Sequence, residues 1–200
     1  MSARSGAMTS GALFGPNGTV AAPAPSGTIR AKEIALTDTR TTPGPRLDEN
    51  LAAAWVTHAL SAATRVKLAE IGHLVPVDAG EVLMREGDPS DFLAIVLEGR
   101  VGLRVRVPER GQVTILTVEP GDVVGWSAVV PPYRATSTVV ALVRTELAHF
   151  DGPTLRAKLA ADPELAAELY HVLLNAVARR LEGTRLQLLD LFSHRWVEPW

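Results

Sequence analysis

The stretch Val101-Gly102-Leu103-Arg104-Val105-Arg106-Val107 alternates with period two, setting the valines and Leu103 on one face and the arginines on the other. That pattern marks a half-buried β-strand. Outward from it in both directions, Gly80, Gly87, Gly99, Gly111, Gly121 and Gly125 punctuate short apolar runs. Strands are predicted at Glu81 to Met84, Phe92 to Leu97, Val101 to Val107, Gln112 to Val118, Asp122 to Val124, Thr136 to Leu142 and Glu146 to Phe150. These runs are too many and too short for a parallel sheet, which needs long crossovers between strands. The region is mainly β and antiparallel: a sandwich, jelly roll or barrel.

Helices flank it. Ser61 is read as the N-cap of a helix carrying Val66, Leu68, Ile71 and Leu74 toward the core before Gly72 and Pro76 weaken it. After the last strand, Asp151 caps a helix entered through Pro153 and running through Leu155 and Leu159. Asp162, Pro163 and Glu164 announce another as N-cap, first helical residue and first-turn acid, and only Gly183 interrupts the pattern before Phe192. Those thirty residues span about 45 Å at the standard helical rise, more than packing on a β body requires. The stripe Leu165, Leu169, Val172, Leu173, Ala176, Val177, Leu181, Leu188 and Leu191 is wide enough to touch both the β body and a partner helix. Leu169, Leu173, Ala176 and Val177 are the residues expected to meet a second copy, making a homodimer.

Residues 1–46 are rich in Gly, Ala, Pro, Ser and Thr, with Phe14 their only aromatic, and are expected to form a disordered tail. The folded unit is placed at 47–192, one domain of a chain of 200 residues with 46% apolar content. A short tail, 193–200, follows, leaving no room for a DNA-reading domain. Its Trp196 and Trp200, flanking Val197 and Pro199, suit either packing on the chain's own long helix or anchoring on a protein partner. With 20 basic and 22 acidic side chains, nothing general favours nucleic acid or an anionic membrane, and neither is expected as a direct partner. No cysteine is present, which excludes disulfides and thiol catalysis and fits a cytoplasmic protein.

The chemistry concentrates in Gly121-Asp122-Val123-Val124-Gly125-Trp126-Ser127-Ala128 and the following Pro131-Pro132-Tyr133-Arg134-Ala135. A tight glycine turn followed by a lone arginine, in an otherwise apolar region, suits backbone amides and a guanidinium converging on an anion. The five histidines, at 58, 73, 149, 171 and 194, lack the spacing of metal ligands, so no metal or other cofactor is expected. Ser127 sits in no Gly-x-Ser-x-Gly elbow, and the chain is not read as an enzyme. Arg100, Arg104 and Arg106 form a basic stripe read as a solvated face.

Five short motifs follow one another in order: Ala79-Gly80-Glu81, Arg85-Glu86-Gly87-Asp88, Leu97-Glu98-Gly99-Arg100-Val101, Pro120-Gly121-Asp122 and Arg134-Ala135-Thr136. From about Leu60 to Phe192 the chain resembles the cyclic nucleotide-binding domain family, the sensory module of catabolite-activator-type regulators. The resemblance implies a double-stranded β-helix, or jelly roll, with an N-terminal helix and a long C-terminal helix that closes over a ligand and transmits its presence. It further implies a phosphate-binding cassette at Val124 to Thr136. Gly125, Trp126, Ser127 and Ala128 would offer turn amides, Arg134 would clamp the anion, and Ala135 and Thr136 would add an amide and a hydroxyl. The family's turn carries a glutamate that accepts from the ribose hydroxyl; here Trp126, a donor only, stands in its place. Three readings are open: Trp126 stacks on a cyclic nucleotide held in altered geometry, Trp126 walls a site for a different small anion, or Trp126 fills the pocket and leaves a module for protein assembly.

Overall fold

The computed structural model describes residues 45–193. The chain enters through helix α1 (Pro45–Ala53), a 3-10 turn (Trp55–Thr57) and helix α2 (Ala62–Ala69). Eight strands follow: β1 (Gly72–Val77), β2 (Val82–Met84), β3 (Phe92–Glu98), β4 (Val101–Val107), β5 (Gly111–Val118), β6 (Val123–Val124), β7 (Thr138–Ala141) and β8 (Thr145–Asp151). A second 3-10 turn (Trp126–Ala128) sits between β6 and β7. Helices α3 (Gly152–Ala161) and α4 (Pro163–Ser193) end the described chain. The strands form two four-stranded antiparallel sheets, ordered β1-β8-β3-β6 and β2-β7-β4-β5, facing each other as a jelly roll.

Two cores follow from this arrangement. Period two sends Ala94 and Val96 of β3 into the roll, with Val77, Val101, Val118, Val124, Val139 and Leu147. The alternate residues Leu93 and Ile95 face the helices with Ala148, Phe150, Leu155 and Leu165. Burial on both faces explains why β3 reads as a continuous apolar run rather than an alternating one. By contrast β5 has only one neighbour and is largely exposed.

The three expected helix caps are formed. The Thr64 amide donates to Ser61 Oγ at 3.2 Å, the Thr154 amide to Asp151 Oδ2 at 2.9 Å and the Leu165 amide to Asp162 Oδ1 at 3.1 Å. Helix α2 is shorter than its apolar spacing predicts: it stops at Ala69, and Gly72 through Val77 pair with β8 instead. A Cβ on Gly72 would lie 2.5 Å from the Phe150 ring, so this strand packs closely there only because the residue has no side chain. Pro76 is tolerated in β1 because β1 is an edge strand, paired on one side only. Helix α4 does run unbroken for 31 residues, through Gly183. Residues 1–44 and 194–200, which hold the C-terminal tryptophans and the predicted disordered tail apart from Pro45 and Arg46, lie outside the described residues, and those two residues open α1 rather than end a tail.

On the roll-facing side of β1 and β8, His73 and His149 pair in register with ring centroids 4.7 Å apart, and Phe92 stacks on His149. Burial, reinforced by repulsion from His73 and only partly opposed by Asp151, lowers the His149 pKa to about 4. The neutral imidazole is therefore the folded form. Between its ordinary value of 6.5 and about 4, the unfolded chain takes up the proton more readily, so stability is lost as pH falls through that window. We expect denaturant unfolding to show about 3 kcal/mol less stability at pH 4 than at 7 from this group, an acid loss that His149→Gln should reduce.

A cavity between the roll and the long helix

The segment from β6 to β7 is fixed by backbone geometry. Gly125 has φ +73°, and a Cβ there would drive into the Phe92 carbonyl, so glycine is required both for the turn and for its approach to β3. The Ala128 amide closes the turn on the Gly125 carbonyl at 2.8 Å and is spent inside it. Ser127 is buried, its hydroxyl donating to Ser90 Oγ at 3.0 Å. Trp126 is half-buried and packs on the helix-side core with one side exposed to a cavity.

Residues 133–135 are zipped to the loop between β2 and β3. The Ser90 amide donates to the Tyr133 carbonyl, the Ala135 amide to the Asp88 carbonyl and the Gly87 amide to the Ala135 carbonyl, at 2.8, 2.9 and 2.8 Å. In that register Ala135 points into the roll core and Arg134 points out. The Arg134 guanidinium donates through Nη1 to the Gly87 carbonyl at 2.9 Å and does not line the cavity. Tyr133, at φ 58°, lies under the Arg156 guanidinium, which also donates to the Ala128 carbonyl at 2.7 Å.

The cavity, about 540 Å³, opens where β4, β5, the Trp126 turn and α4 meet. Leu103, Ile115, Leu116 and Trp126 supply apolar walls from the roll, and Thr136 and Ser137 supply hydroxyls. Val177, Leu181 and Leu188 continue the apolar lining from α4, with Arg180, Thr184 and Gln187 as its polar groups. Its size and its mix of apolar walls with a few polar groups match a site for a small organic ligand.

Of the residues expected to form the site, the structure brings Trp126 and Thr136 to the cavity, while Gly125 shapes the turn. Ser127, Ala128 and Ala135 are buried in the core around it, and Arg134 is turned away. The resemblance implied that α4 closes over the ligand but named none of its lining residues, although Val177, Leu181, Thr184 and Leu188 follow one another at four- and three-residue steps along one helix face. Leu169, Leu173 and Ala176, expected at a dimer contact, are buried in the chain's own core. Among the described residues, the large apolar side chains that α4 leaves exposed are Tyr170, Leu174, Leu181, Leu186, Leu188 and Leu189.

The model of the cyclic nucleotide-binding domain family matches residues 74–162. The solved N-terminal domain of a transcriptional regulator from Streptomyces coelicolor is 31% identical, with a TM-score of 0.51, and the match covers 70% of this chain and 95% of that one. The chain belongs to the cyclic nucleotide-binding domain family. A CRP-like cAMP-activated global transcriptional regulator of Mycobacterium tuberculosis is 32% identical over 148 residues, 72% of this chain and 63% of that protein. The chain therefore spans under two thirds of that curated relative. A cyclic nucleotide-binding domain from Methylobacillus flagellatus shares the fold, with a TM-score of 0.62 at 23% identity over 72% of this chain and 81% of that one.

Substituting Gly125 by alanine should distort the turn and displace Trp126. Thermal unfolding of Gly125→Ala should report a loss of about 1–3 kcal/mol, the usual cost of holding a side chain in a disfavoured backbone region.

Proposed function

We propose that this chain is a non-enzymatic, cytoplasmic sensor domain that takes a small anionic ligand, a cyclic nucleotide foremost, into the cavity between the roll and α4. The observation that carries this reading is that α4 forms one wall of the cavity, so a ligand there touches the sheet and the helix at once. A ligand that binds one helix position better than another shifts the helix, and with it whatever the helix contacts. Family membership supports the cyclic nucleotide as first candidate, and the indole of Trp126 offers a face on which a base can stack.

The helix would report to a second copy. Tyr170, Leu174, Val177, Leu181, Thr184 and Leu188 recur at alternating steps of four and three residues, the spacing of a coiled-coil seam, and because the last four also line the cavity, a second copy seated there would cover the cavity's open side. Leu174 is 66% exposed and Leu181 51% in the single chain, surface that a parallel helix would cover. This seam replaces the expected contact through Leu169, Leu173 and Ala176, which the chain's own core has used.

Thermal unfolding with and without cyclic AMP, cyclic GMP and cyclic dinucleotides tests the ligand. At a hundredfold excess over its dissociation constant a true ligand should add about 2.7 kcal/mol of stability. No melting shift across the panel would favour an assembly module over a sensor. For the dimer, Tyr170→Glu with Leu174→Glu, neither of which touches the cavity, should convert a dimer to a monomer in sedimentation, and an unchanged mass would refute the seam.

A further inference from the structure

Among the described residues lining the cavity, Arg180 is the only one that carries a charge. It comes from α4, not from the β6–β7 segment. Its Nη2 lies 3.2 Å from Asp122 Oδ2 and also donates to the Val123 carbonyl, while its Nε–H is buried without an acceptor. The guanidinium is thus tied to the roll but not fully satisfied.

Asp122 is well placed as its counter-ion. Its Oδ1 accepts from the Val123 amide at 2.7 Å, which holds the carboxylate at the start of β6. The neighbouring Arg179 places its guanidinium 4.4 Å from the Trp55 ring centroid, and the amide of Val56, beside that tryptophan, donates to the Gly121 carbonyl. Two successive arginines therefore fasten α4 to the residues around Gly121 and Asp122. The last fully buried side chain before them is Ala176, and residues 181–189 are all exposed. The Arg180–Asp122 pair stands where the anchored part of α4 gives way to its free part.

We propose that Arg180 is the anion-holding residue of the cavity and that Asp122 is its resident competitor, so that an entering phosphate, sulfonate or carboxylate takes the guanidinium from Asp122 and loosens α4 from the roll. This rests on the sensor reading above and specifies its charged contact. The other candidate, Arg134, is bonded to Gly87 outside the cavity in this structure, and Ala135, the next residue, presents only a methyl group to the roll. A carboxylate beside the one cation weakens its hold on an anion, and an anion of greater charge or better geometry wins the exchange.

The test is a binding titration of the full chain with cyclic AMP and with anilinonaphthalene sulfonate, a probe that joins an aromatic body to one anionic group. Arg180→Gln should weaken binding roughly 10- to 100-fold, as loss of a charge-assisted contact does. Asp122→Asn should tighten it several-fold, and Arg134→Gln should leave it unchanged. The opposite signs at Arg180 and Asp122 separate competition from a structural tie, because breaking a merely structural pair would weaken binding from either side. If Asp122→Asn weakens binding, or if Arg134→Gln weakens it and Arg180→Gln does not, the inference falls while the sensor reading stands. If the unsubstituted chain binds neither probe, both fall together.

Discussion

Burial of β3 on both faces is the constraint around which the rest of the molecule is arranged. Ala94 and Val96 close the roll while Leu93 and Ile95 seat the helices, so the roll and the helical layer share one strand and cannot shift independently there. Because β6 pairs with β3, and the Trp126 turn follows β6 directly, the cavity wall inherits its position from that strand. The Phe92 carbonyl that forbids a side chain at residue 125 belongs to the same strand. Packing and site geometry are one system, as close-packed interiors transmit displacement rather than absorb it.

The β6–β7 segment shows how backbone pairing decides chemistry that motif spacing leaves open. In an extended segment adjacent side chains face opposite ways, and a shift of one residue exchanges inside for outside. Three backbone hydrogen bonds between residues 87–90 and 133–135 select the register that buries Ala135 and exposes Arg134. An arginine at the expected place in the sequence is therefore not an arginine in the cavity. Its hydrogen bond to Gly87 gives it a structural role, tying the same two loops that its backbone already joins.

Much of the fold was legible because it rests on local chemistry: glycine turns, period-two alternation from Val101 to Val107, and the caps Ser61, Asp151 and Asp162 each act within a few residues. The limit of α2 was legible only in part: Gly72 and Pro76 mark a weakening, but Ile71 and Leu74 continue its apolar spacing, and the tertiary contact of Gly72 with Phe150 shows that the chain has become a strand. The faces of α4 were not separable either. A stripe that includes Leu169, Leu173, Val177, Leu181 and Leu188 spans more than one side of the helix, and helical period alone does not say which side meets the core. The cavity combines residues from β4, β5, the Trp126 turn and α4, distant in sequence, so spacing offered no signal for Arg180 or Ser137 beyond the helix-face recurrence that includes Thr184.

The long helix has two regimes. From Leu165 to Ala176 it is held by apolar burial, which is non-directional and does not respond to a small polar ligand. At Arg179 and Arg180 it is held by a cation over an indole and by an ion pair, interactions that depend on charge and on local dielectric. Beyond them, residues 181–189 are exposed among the described residues. A ligand that changes the charge balance at the second regime can therefore move the third without disturbing the first, because the apolar contacts contribute equally before and after. On the proposed sensor reading, this division would confine the response to the part of the helix whose exposed leucines face away from the core, and would leave the core intact.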